Sequence, residues 1–86
     1  MKVVFFGSSK VVLPIIKTLT DNFDLQLVIT TEKEETDAVP TYCREHAIPY
    51  LSIQTFTNEI IKHLASLQSP VAVLADFGLI LPLNIL

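Results

Sequence analysis

The chain has 86 residues, a net charge of −3 and a pI of about 5.1. That leaves room for one small domain and removes the basic face that nucleic-acid binding by this segment would need. The single cysteine, Cys43, excludes an internal disulfide framework and points to a reducing compartment. Half of the residues are apolar and mean hydropathy is +0.50. This is more apolar material than so small a core uses, so part of it is expected to pack against further chain or a second copy. After Met1-Lys2 the apolar run ends at Gly7, too short for the core of a signal peptide. No stretch reaches the roughly 18 apolar residues of a membrane span. The expected location is cytoplasmic, with no membrane partner.

Val3-Val4-Phe5-Phe6 is a β-branched and aromatic run closed by Gly7-Ser8-Ser9. Its lack of alternation predicts a strand buried on both faces, as in parallel sheets. Leu13, Ile16 and Leu19 recur at helical spacing with Pro14 in the first turn, predicting a helix over 12–21 that Asp21-Asn22 ends. Residues 25–30 read as a second strand, and 31–36 as a polar, acidic, solvated loop. Val39, Cys43 and Ala47 form a stripe that predicts a helix over 38–47, with Asp37 as its N-cap. A short third strand is expected over 48–51. Thr57-Asn58-Glu59 opens a third helix with a cap residue and an early acid, and Ile60, Ile61, Leu64 and Leu67 make its apolar stripe. Gln68-Ser69-Pro70 breaks it, and 71–75 reads as a buried fourth strand. Strands alternating with helices, βαβαβαβ, imply an α/β fold with a parallel sheet and right-handed crossovers.

Two segments are candidate sites. Gly7, Ser8 and Ser9 lie between the first strand and the first helix, where α/β proteins often hold an anion on backbone N–H groups. The spaced glycines of a dinucleotide fingerprint and the Gly-Lys-Ser/Thr of a P-loop are both missing, and the chain has only two glycines, Gly7 and Gly78. A tight turn with a serine cap is the simpler account of this segment. The second candidate is the apolar loop Phe77, Gly78, Leu79, Ile80 and Leu81 at the carboxyl end of the fourth strand, where open α/β sheets bind ligands. The plain alternative is that its aliphatic residues cover the sheet end and Pro82 starts a helix. His46 and His63 fall on different helices, off the apolar stripes, without metal-ligand spacing to Cys43 or to the acids, so no metal is expected. Cys43 reads as a core residue.

In order and spacing these motifs resemble the N-terminal catalytic domain of methionyl-tRNA formyltransferases. The likeness runs through residues 1–9, Val12-Leu13-Pro14, Ile29-Thr30, Glu45-His46-Ala47-Ile48-Pro49 and Ala75-Asp76-Phe77-Gly78-Leu79-Ile80-Leu81-Pro82, with a gap near 31–37. The resemblance implies a truncated Rossmann-like sheet of strand order 3-2-1-4 with helices on both faces. It makes residues 1–86 the incomplete N-terminal portion of such a domain. It also implies 10-formyltetrahydrofolate as the formyl donor and the α-amine of initiator methionyl-tRNA as acceptor, the tRNA being engaged by parts outside this chain. The loop Phe77, Gly78, Leu79, Ile80 and Leu81 would line the pterin slot, with Gly7, Ser8 and Ser9 as a neighbouring turn on the same crevice. Gly78, without a Cβ, would let main chain approach the ring.

The family's catalytic asparagine, histidine and aspartate lie downstream of this span. The resemblance therefore assigns no catalytic residue here, and the 86-residue chain alone is expected to be inactive. Asn84, His46 and His63 are not their counterparts. The loop at 31–36 is short and acidic where bacterial members carry a long basic one, which is compatible with an amino-sugar formyltransferase of the same superfamily. A non-catalytic α/β binding or assembly module is the other alternative. The fourth strand should present an unpaired edge, so the isolated chain is expected to self-associate or partly unfold. A stable monomer at micromolar concentration in sedimentation velocity would contradict this.

Overall fold

The computed structural model of the chain describes residues 1–77. Its elements in chain order are β1 (Lys2–Gly7), a 3₁₀ turn (Lys10–Val12), α1 (Leu13–Asn22), β2 (Asp24–Thr30), α2 (Ala38–Glu45), β3 (Tyr50–Ser52), α3 (Asn58–Leu67) and β4 (Val71–Ala75). The four strands form one parallel sheet of order β3-β2-β1-β4. The α/β class and the 3-2-1-4 order are as expected. One irregularity interrupts the ladder. Val3 pairs with Leu25 but Val4 pairs with Leu27, so Gln26 is an extra residue bulged out of β2.

Alternate residues of the two inner strands feed two cores, one on each face. Val3, Phe5 and Val28 pack with Val12, Ile16 and Leu19 of the first helical segment and with Val39 and Cys43 of α2. Val4, Phe6, Leu27 and Ile29 face the other way, with Ile53 and Phe77, against Ile60, Leu64 and Leu67 of α3. Helices therefore cover both faces, and β1 is buried on both sides, as its unbroken apolar run predicts.

Three local readings are corrected. The second helix stops at Glu45, not at 47. Ala47 takes a left-handed backbone (φ 55°), its N–H bonds the Arg44 carbonyl, and the Ile48 N–H reaches back to the Cys43 carbonyl at 2.8 Å. This closure leaves Ala47 exposed and buries Ile48 in its place. The third strand shifts to 50–52, where it pairs with Val28, Ile29 and Thr30. β4 is not a buried strand: Ala72 and Leu74 are exposed, Leu74 by 51 %. The reason is placement. β4 flanks the described sheet, and α3 lies over β1 and β2. At the start of α3, Thr57 caps as expected, its hydroxyl accepting from the Ile60 N–H at 3.2 Å.

Cys43 is fully buried, and burial pushes its thiol from an ordinary 9.0 up to about 11. The fold therefore favours the neutral thiol. The associated stability is complete below pH 9 and lost as pH rises toward 11. We expect slow reaction with a disulfide reagent at neutral pH and falling stability in urea titrations between pH 9 and 11. Rapid labelling of the folded chain at pH 7 would contradict this.

Candidate functional site

β1 lies between β2 and β4. The chain leaving β1 turns onto the α1 face, while Phe77, just after β4, turns onto the α3 face. Neighbouring parallel strands whose exits part to opposite faces define a switch point, where open α/β sheets usually hold their ligand in a crevice at the carboxyl ends. The residues flanking this crevice come from three turns: 7–9 after β1, 30–32 after β2, and 76–77 after β4.

Gly7 sits where backbone approaches backbone. It pairs with Ala75 across the β1–β4 ladder. A Cβ placed on it would meet the Phe5 ring and would stand 2.8 Å from the Ala75 carbonyl oxygen. Glycine is needed here for space.

Ser8 and Ser9 do different work from the cap the sequence suggests. The Ser8 N–H donates to the Asp76 carbonyl at 3.1 Å. Its hydroxyl accepts from the Thr31 N–H at 3.0 Å and lies 2.7 Å from the Thr31 hydroxyl and 3.2 Å from that of Thr30. Ser9 makes no side-chain cap. Its N–H donates to Glu32 Oε1 at 2.9 Å, and its hydroxyl donates to Asp76 Oδ2 at 2.8 Å. Thr30 is fully buried, and its hydroxyl is satisfied by Ser8 and by the Glu32 N–H at 3.2 Å.

The acidic loop is not simply solvated. Glu32 turns inward, and the same Oε1 that receives Ser9 also accepts the Val39 N–H in the first turn of α2, at 3.2 Å. A carboxylate at that end of a helix is favourable on both dipole and hydrogen-bond grounds. Glu32 thus takes the capping part assigned to Asp37, whose own Oδ2 accepts from the Glu34 N–H at 3.0 Å. It also occupies the Ser9 N–H that an anion bound at the 7–9 turn would take. Lys33, Glu34, Glu35 and Thr36 remain exposed, as read from sequence.

Of the apolar loop, only Phe77 falls among the described residues; Gly78, Leu79, Ile80 and Leu81 lie outside them. The Phe77 ring belongs to the core. It is 4 % exposed, stacks edge-on to Phe6 at 5.4 Å and lies 6.1 Å from Phe56. A ligand can therefore meet Phe77 only through its main chain, whose carbonyl is 3.5 Å from the Thr31 hydroxyl. A groove of about 60 Å³ between α3 and β4, lined by Val4, Phe6, Leu64, Ser69, Val71 and Ala72, lies at the other end of the strand. It is far below the ~300 Å³ of a small-molecule pocket.

His46 stacks on Tyr42 at 4.1 Å and, like His63, is exposed, away from the crevice. Among the described residues no group of three His, Cys, Asp or Glu is placed to hold a metal ion. No described helix is long and apolar enough to cross a membrane. Thr30, Thr31, Glu32 and Asp76, bonded to Ser8 and Ser9, are candidate site residues that were not singled out from the sequence. A signal existed: each is a polar residue at the carboxyl end of a parallel strand or within two residues of it.

No protein-family model matches the chain, and comparison with curated proteins finds no match. Among solved structures, the crystal structure of phosphoribosylglycinamide formyltransferase from Bacillus halodurans superposes with a TM-score of 0.75 at 18 % identity. The match covers 99 % of this chain and 50 % of that one, so the chain spans half the length of this neighbour and shares the fold of that half.

Proposed function

We propose that the chain is the folate-facing half of a formyltransferase, holding 10-formyltetrahydrofolate at the carboxyl ends of β1 and β4 while its formyl group passes to an amine. The observation that carries this reading is the β1/β4 switch point, in a sheet whose fold matches half of a formyltransferase chain end to end. In the reaction the amine nitrogen attacks the formyl carbon, a new amide C–N bond forms, the bond to N10 breaks and a proton passes from the amine to N10. This chain's part is to bind and orient. The groups that stabilise the oxyanion and move the proton would come from polypeptide outside these 86 residues.

The described residues suit part of such a ligand. The Phe77 carbonyl offers a hydrogen-bond acceptor, and the edge of a pterin carries N–H donors. The resemblance of residues 75–82 to the tRNA enzymes favours initiator methionyl-tRNA as acceptor. One observation favours a smaller amine, such as a nucleotide amino sugar. The 31–36 loop carries acids and no room for a basic arm, and it is fastened through Glu32 to both Ser9 and Val39. The structural neighbour's name adds phosphoribosylglycinamide as a third acceptor.

Calorimetric titration with a folate analogue tests the binding half of this proposal. Weak binding by the native chain, lost in Gly78→Val, is expected. Equal binding by both proteins would dismiss the loop assignment. Offering the three amines to the parent polypeptide with 10-formyltetrahydrofolate would then identify the acceptor.

A further inference from the structure

We infer that Ser9 is a positioning residue that fixes the width of the crevice between the β1 and β4 turns. The identity of the ligand rests on the formyltransferase reading; the brace itself does not.

Ser9 is bonded on both sides. Behind it, Glu32 Oε1 receives its N–H at 2.9 Å and is itself held by the Val39 N–H at 3.2 Å. In front, its hydroxyl donates to Asp76 Oδ2 at 2.8 Å. One continuous chain of hydrogen bonds thus runs from the start of α2 through the β2 turn and the β1 turn to the β4 turn. Both ends of the last link are conformationally unusual. Ser9 has φ 72° and Asp76 φ 50°, the left-handed region that favours glycine. A glycine at either position would relieve the backbone but delete the link. Non-glycine residues held in this region on both sides of a switch point fit the strain that clusters at functional sites.

The hydroxyl has a single proton, so donation to Asp76 sets the separation of the two turns. The bond is charge-assisted and lies at the exposed surface of the two turns. A second contact, from the Ser8 N–H to the Asp76 carbonyl at 3.1 Å, depends on that separation. The Ser8 amide is thus a reporter of the brace that involves no ligand.

Ser9→Ala, Asp76→Ala and Asp76→Asn separate the possibilities. Asparagine tolerates the left-handed region and keeps an oxygen that accepts from Ser9. Ser9→Ala and Asp76→Ala should each speed hydrogen exchange at the Ser8 amide about tenfold, and Asp76→Asn should restore it. Affinity for a folate analogue should follow the same order: about tenfold weaker in the two alanine variants and recovered in Asp76→Asn. Unchanged Ser8 exchange in Ser9→Ala would overturn the brace. Asp76→Asn binding as poorly as Asp76→Ala would overturn it in favour of direct ligand contact by the carboxylate. If the native chain binds no folate analogue, the formyltransferase reading falls, and the exchange series still decides the brace.

Discussion

Gly7→Val should leave little folded protein. Even Gly7→Ala places a Cβ against the Phe5 ring and 2.8 Å from the Ala75 carbonyl oxygen. Neither neighbour can yield cheaply. Phe5 is fully buried, and the Ala75 carbonyl belongs to the backbone of the strand that pairs with β1. Overpacking of this kind costs about 1–3 kcal/mol for a single added group, and valine adds two more carbons in the same space. A chain of this length has on the order of 4–13 kcal/mol in total at the usual stability per residue. Urea unfolding followed by circular dichroism should show the midpoint falling in Gly7→Ala and the cooperative transition disappearing in Gly7→Val. A Gly7→Val midpoint close to that of the native chain would show that the β1–β4 approach is looser than described.

Phe6→Ala should be the most damaging truncation on the α3 face. Phe6 is almost fully buried, meets Phe77 edge-on at 5.4 Å and lies 6.3 Å from Phe56. Removing a buried phenylalanine ring costs about 3–5 kcal/mol through lost transfer energy and the cavity left behind. The three rings also hold the first residue after β4 in place, so the effect should extend beyond stability. Loss of the ring should release Phe77 and expose its amide to exchange, while the α1 face keeps its protection. Phe6→Leu, which retains most of the volume, should recover more than half of the loss. Equal midpoints for the alanine variant and the native chain would mean that the aromatic cluster does not anchor β4.

The strands and helices were legible because their apolar patterns are strong. The unbroken run 3–6, closed by Gly7, reads as a doubly buried strand, and the stripes at Ile16/Leu19 and Leu64/Leu67 define two helix faces. What failed was local. The end of α2 depends on Ala47 entering a left-handed conformation that glycine normally takes, so its helical spacing to Cys43 misled. β4 reads as buried from composition, but burial depends on what lies above a strand, and α3 covers its neighbours.

Of the candidate site, its place in the sheet was legible and its hydrogen bonds were not. The switch point follows from topology, and the resemblance directed attention to Gly7, Ser8, Ser9 and Phe77. The inward turn of Glu32 could not be read from a charge run in which its neighbours are all exposed. The bond from Ser9 to Asp76 joins residues 67 positions apart, a pairing that no local pattern encodes.

The proposed function puts the ligand at the carboxyl ends of β1 and β4. Backbone amide chemical shifts, followed while the 86-residue chain is titrated with a folate analogue, decide whether it binds there. Saturable shifts concentrated at residues 7–9, 30–32 and 76–81 are expected. Shifts centred on Leu64, Ser69 and Ala72 at the opposite end of β4, or none at saturating ligand, would contradict it.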